Sequence, residues 1–208
     1  MYKTLVIVAL IVLGARPVLG QWIGVFVQPD HFAYCGFIRA NAPTPLYVLY
    51  VGWAGPRATG AEYAIVGMHG QFGVDYLASL VSAPGSNINL GNAFDGGHNV
   101  AWPVGQPFDR DGYLLLATWC VTLLSSQSLE PTTLEVLHRE PPSNASFRCP
   151  LVVTEGFSLS CVQGGQMYLN DPRGYCWDFA SEPRASGPSP CVVAVEKQTW
   201  SGVRRLYR

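Results

Sequence analysis

Residues 113–124 read Tyr-Leu-Leu-Leu-Ala-Thr-Trp-Cys-Val-Thr-Leu-Leu, and this stretch decides the fold. Its threonines, valine and tryptophan are residues that suit a pleated surface. It carries no charge and no Gly or Pro, so the run predicts a long core strand rather than a surface helix. Period-two alternation sends Leu115, Ala117, Trp119 and Val121 to one face.

Shorter runs of the same kind lie on either side. Trp22 to Val27, Leu46 to Val51 and Glu62 to Val66 precede it; Leu134 to His138, Leu151 to Val153, Phe157 to Val162, Met167 to Leu169 and Val192 to Val195 follow. Gly and Pro, 22 and 16 of 208 residues, punctuate these runs. Helical patterns are confined to Asp75–Val81 and the C-terminal tail. Many short strands without alternating helices predict an all-β chain, an antiparallel β-sandwich. Tyr47, Leu49, Ile65, Leu115, Trp119 and Val121 are its expected core.

The N-terminus sets the compartment. Lys3 precedes an apolar run from Leu5 to Ala15, and Val18-Leu19-Gly20 offers a cleavage site before Gln21. A membrane anchor needs about 20 apolar residues, and Arg16 and Pro17 interrupt this run too early. Residues 1–20 are expected to be a signal peptide, with a mature protein that is secreted, extracellular or periplasmic and has no transmembrane segment.

Taking Lys3 and Arg16 from the 13 basic residues leaves 11 against 14 acidic, a net charge of −3 after cleavage. Residues 197–208 hold four basic residues and no acid, so the body before them is near −7. An acidic body argues against a nucleic-acid partner, because phosphate binding needs a basic face.

Six cysteines, Cys35, Cys120, Cys149, Cys161, Cys176 and Cys191, have no close pair of the kind a zinc site uses. In an exported chain an even number predicts disulfides. Sequence leaves the pairing open; we expect Cys35 with Cys120, and the last four among themselves. The proline-rich segment 139–148 marks a linker between a sandwich over residues 21–138, of immunoglobulin-like size, and a small cysteine-rich β appendage over 149–208.

Motifs for catalysis are missing. There is no G-x-S-x-G elbow, no H-E-x-x-H, no phosphate loop and no dinucleotide fingerprint. His31, His69, His98 and His138 are scattered. Of these, His98 after Asp95-Gly96-Gly97 is the best candidate base, since a glycine turn can expose it; the alternative is a polar loop residue. Asp109-Arg110-Asp111-Gly112 resembles the start of a calcium loop, but the further oxygen ligands are absent. A turn held by its own aspartates is the plainer reading. Trp53 and Trp102 flank Gly/Pro turns and are the aromatics expected to be exposed as a ligand platform, a sugar face included. Asn144-Ala145-Ser146 is a glycosylation sequon. No metal or cofactor site is expected.

The tail is the most distinctive segment. Gln198 to Arg208, QTWSGVRRLYR, resembles the TTWGxVKALYR ending of a group of exported bacterial proteins. Ile23-Gly24-Val25-Phe26, Pro45 to Tyr50 and Cys161 to Asn170 are similar to other segments of that group. The resemblance implies a cohesin-like sandwich body and carries no activity or site residue across. Residues 177–190 depart from the pattern as a Ser/Pro-rich insertion. Thr199 can cap a short helix that places Trp200, Val203 and Leu206 or Tyr207 on one face, with Arg204, Arg205 and Arg208 near its C-terminal end. The segment is expected to close the fold or to serve as an address. The whole reads as a non-enzymatic binding or structural protein whose partner is an extracellular protein or a glycan. The alternatives are a carbohydrate-binding module and a small secreted hydrolase.

Overall fold

The computed structural model describes residues 21–29, 35–52, 57–125, 130–156 and 158–170. Thirteen strands and no helix make up their regular structure. The central run forms β8 (Tyr113–Leu123), antiparallel to β3 (Thr44–Val51) on one side and β5 (Tyr76–Ser82) on the other. β1 (Trp22–Phe26) pairs with β3, and β12 (Gln163–Gly164) closes this five-stranded sheet beside β1. The second sheet is built on β4 (Ala58–Val66). One edge of β4 meets β10 (Leu151–Thr154) and β9 (Thr132–Leu137), flanked by β11 (Ser158–Cys161), β13 (Gln166–Leu169) and β2 (Cys35–Gly36). Its other edge meets β7 (Gly97–Gln106), with β6 (Ile88–Asn92) outermost. Two mainly antiparallel sheets therefore enclose one apolar core, as the pattern of runs predicts.

The core is set by strand pairing. Leu46 lies opposite Trp119 and Val48 opposite Ala117, and residues directly opposite point to the same face. All four are buried. Between Val48 and Leu49 the register slips, so that Leu49 faces Leu115 and Leu116 is the extra residue of a bulge. The slip reverses the alternation. Leu116 is fully buried, whereas Leu115, expected in the core, is half-buried. On β3, which has no extra residue, Leu46, Val48 and Tyr50 take the inward positions, so Tyr47, also expected in the core, lies half-buried on the opposite face. Leu49, Ile65, Trp119 and Val121 are buried as expected.

Two sequence expectations need correction. The helical pattern at Asp75–Val81 is strand β5, held against β8 from Tyr76↔Leu123 to Ser82↔Thr118. Long-range pairing overrides a local pattern that fits either period. The second concerns residues 149–170, the described part of the expected appendage. They supply strands to both sheets: β10 sits on β4, β13 on β9 and β12 on β1, with Leu151 and Val152 buried. Segment 139–148 is thus a loop of the sandwich itself. Cys149 and Cys161 form a disulfide that bridges the β10–β11 hairpin. Cys35 and Cys120 each take part in a disulfide, but the expected bond between the two is not among the disulfides of the described residues. Among the described residues no helix is long and apolar enough to cross a membrane.

Candidate functional site

β4 and β7 run side by side, and their alternate residues face opposite ways. Tyr63 pairs with His98, and both point inward; Glu62 pairs with Asn99, and both point outward. The two faces hold the two groups of polar side chains with any claim to chemistry.

On the inner face, the hairpin turn between β6 and β7 uses Gly96 and Gly97, both at positive φ. A Cβ on Gly97 would strike Arg139 and the Tyr63 carbonyl, so glycine is required there. The turn is complete before His98, which enters the core instead of being displayed. His98 is fully buried. Its Nδ1 lies 3.2 Å from the Tyr63 hydroxyl, which also accepts the Trp119 indole N–H at 3.3 Å. The hydroxyl oxygen has room to accept the indole N–H and still either donate to or accept from Nδ1, so this contact is compatible with both neutral tautomers of the imidazole. Its ring stands edge-on to Trp119 at 5.2 Å between centroids. Burial lowers the His98 pKa to about 4 and raises that of Tyr63. No substrate reaches this imidazole. The expectation of His98 as an exposed base is therefore replaced by a packing role, with Nε2 left unpartnered in the core.

The outer face carries a trough. The register puts Leu159, Val153, Gly60, Ala101 and Ile88 in one row across five strands, β11 to β6. The next row toward the 139–148 loop runs Cys161, Leu151, Glu62, Asn99, Leu90. Gly60 and Ala101 have almost no side chain, so the middle of the sheet is low. Leu159 on one side and Ile88 and Leu90 on the other rise as aliphatic walls, exposed by 46, 44 and 58 %. The cavity between them measures about 530 Å³, within the range of ligand pockets.

One end of the trough is polar. Glu62 is only 7 % exposed, and its Oε1 accepts the Ser143 backbone N–H at 3.0 Å. Asn99 donates its side-chain amide to Ser143 Oγ at 3.1 Å, and Arg139 donates to the same oxygen at 3.3 Å. Asn99 Oδ1 is buried without a partner. No Lys or Arg among the described residues forms an ion pair with Glu62. Beside this end lies exposed Asn144 of the sequon, with its Oδ1 accepting Ser146 N–H in a local turn.

The remaining sequence candidates separate. Trp102, expected to be exposed, is 4 % exposed; it points inward from β7 and donates its indole N–H to the Pro84 carbonyl at 2.8 Å. Alternation decides this, because Ala101 takes the outward position. Asp109 holds a turn: its Oδ1 accepts the N–H groups of Asp111 and Tyr113, at 2.9 and 2.8 Å. His69 Nε2 meets the Pro131 carbonyl, and His138 Nε2 meets Glu140. Trp53, His31, Cys176, Cys191 and the tail residues Trp200, Arg204, Arg205 and Arg208 lie outside the described residues. The trough itself was not foreseen. Its sequence signal is Gly60 and Ala101 in strands flanked by aliphatic runs, and that signal acquires meaning only once the strands are paired.

No protein-family model matches the chain, and no curated protein sequence does. Similar solved structures include a cohesin module from a Clostridium perfringens family 33 glycoside hydrolase, at 11 % identity and a TM-score of 0.49, covering 72 % of this chain and 95 % of that one. The sixth cohesin of Acetivibrio cellulolyticus scaffoldin B, solved in complex with a Cel5 dockerin mutant, is similar at 10 % identity and a TM-score of 0.47, with coverage of 73 and 98 %. The C-terminal domain of the Streptococcus pyogenes antigen I/II-family protein AspA is similar at 9 % identity and a TM-score of 0.36, over 74 % of this chain and 47 % of that chain. These are likenesses of fold and bring no site residue with them.

Proposed function

We propose that the chain is a secreted or cell-surface binding module that acts without catalysis and holds a partner protein in the outer trough of the second sheet. The observation that carries this reading is the trough itself. A floor of Gly60 and Ala101 lies between exposed aliphatic walls, with polar groups gathered at one end. Apolar concavities with a few placed polar groups are the usual form of a binding site. The export part of the reading rests on the signal-like residues 1–20. A sugar-stacking platform has less support. Trp102 is turned into the core, and the walls of the trough are aliphatic. A hydrolase has less support still, because His98 is enclosed.

The test compares the oxidised mature chain with the variant Leu90→Asp, Leu159→Asp, each immobilised and exposed to the extracellular fraction of its host. We expect a discrete protein held by the wild type and lost by the variant, with equal melting temperatures for the two. Retention that the variant leaves unchanged, or hydrolysis of a substrate panel by the wild type, overturns the proposal.

A further inference from the structure

We propose that the trough recognises an arginine or lysine side chain displayed by an extended segment of the partner protein, with the cationic head placed against Glu62 and Asn99. The inference rests on the binding reading above and names the chemistry of its occupant.

The polar end is built for a cation. Glu62 is a buried carboxylate with one backbone donor. Among the described residues no opposite charge accompanies this carboxylate, as one ordinarily does a buried acid. Its neighbour across the β4–β7 ladder, Asn99, presents a buried oxygen with no donor. Two acceptors side by side are what a guanidinium fork or an ammonium group can satisfy. An anion or a bare apolar group would leave both unsatisfied. Arg139, which shares Ser143 Oγ with Asn99, makes no ion pair with Glu62.

The rest of the trough fits the stem of such a side chain. Gly60 to Glu62 is a step of about 7 Å along a strand, over which the methylenes of an arginine or lysine can lie on apolar surface while the head reaches the polar end. Ile88, Leu90 and Leu159 would receive the stem and the apolar neighbours of the basic residue. The acidic body, net −7 before the tail, favours approach of a basic segment.

The experiment uses the full oxidised mature chain and acetylated, amidated pentapeptides Ser-Leu-X-Leu-Ser, with X as Arg, Lys, Gln, Leu or Glu, read by titration calorimetry. The expected order is Arg at or above Lys, each at least tenfold tighter than Gln, Leu or Glu. Glu62→Gln keeps an acceptor for Ser143 N–H and should weaken the Arg peptide at least tenfold at an unchanged melting temperature. Ala101→Phe, which fills the floor without touching a charge, should abolish binding. Peptides that bind alike whatever X is, while Ala101→Phe still blocks them, overturn the cation assignment and leave the binding module standing. Absence of binding by every peptide overturns the inference, while the partner-capture experiment judges the module separately. Acetyl-arginine amide binding as tightly as the Arg peptide overturns the protein-segment assignment in favour of a small cationic ligand.

Discussion

The two faces of β4 and β7 are one residue apart in sequence and opposite in physical character. Tyr63 and His98 point inward, where the five-stranded sheet covers them. Burial there holds the imidazole neutral and keeps its protons from solvent. Glu62 and Asn99 point outward, where, among the described residues, the 139–148 loop and the rims of β6 and β11 approach them. The backbone is shared, so the difference comes from what lies opposite each face. A polar residue facing a second sheet becomes packing, and a polar residue facing a gap in the cover stays available to a partner.

The largest test of this contrast compares Trp119→Ala with Leu90→Ala. Trp119 is 1 % exposed and touches Phe94 and His98 edge to face, so truncation should cost about 3–5 kcal/mol. Leu90 is an exposed wall of the trough, and its truncation should stay within about 0.5 kcal/mol. Urea denaturation of both variants reads the difference. A costly Leu90→Ala would mean that the outer face is covered in solution and that the two faces are alike.

A smaller effect sharpens the inner face. The pKa of His98 is near 4 in the folded chain, below the ordinary value of 6.5. The unfolded chain therefore binds a proton first as pH falls. Full stability is present above about pH 6.5, is lost progressively as pH drops toward 4, and reaches a deficit of about 3 kcal/mol below that. Carboxylates titrate in part of the same window, so the comparison is with His98→Gln. Between pH 7 and pH 4 the wild type should lose more stability than the variant by up to that amount. Parallel pH profiles for the two proteins would show that His98 is not sealed from water.

Part of this was legible in the sequence, for reasons of range. β8, β3, β4 and β9 are written in uninterrupted apolar or alternating runs, and Trp119 and Ile65 follow from them. β7 reads Gly-His-Asn-Val-Ala-Trp-Pro-Val-Gly-Gln, with a proline and two glycines in ten residues, and β6 reads Ile-Asn-Leu-Gly-Asn with nothing buried. Neither pattern announces a strand. Both become strands because β4 offers an edge to β7, and β7 then offers one to β6. The bulge at Leu116, which reverses the parity of Leu115, is likewise a property of two strands together. The trough depends on five strands in register, and no local window contains it.

The smallest expected effect concerns the basic tail, and it asks whether the outer face is open. Residues 197–208 bring four positive charges to a chain whose body is near −7. Arginine beside Leu206, Tyr207 and Val203 is also the chemistry proposed for the trough. Two outcomes follow from truncating the chain after Glu196. If the tail is an address read by a surface or by export machinery, the melting temperature should stay within about 1–2 °C, since under 0.5 kcal/mol is involved. The truncated protein should then be lost from its normal fraction. If the tail instead lies on the acidic face of its own body, truncation should lower the melting temperature and raise hydrogen exchange in β6, the strand that forms one wall. We expect the first result, because the sandwich closes both sheets and buries its core within residues 21–170. A marked fall in melting temperature with normal localisation would reject the address, and would make the outer face as covered as the inner one.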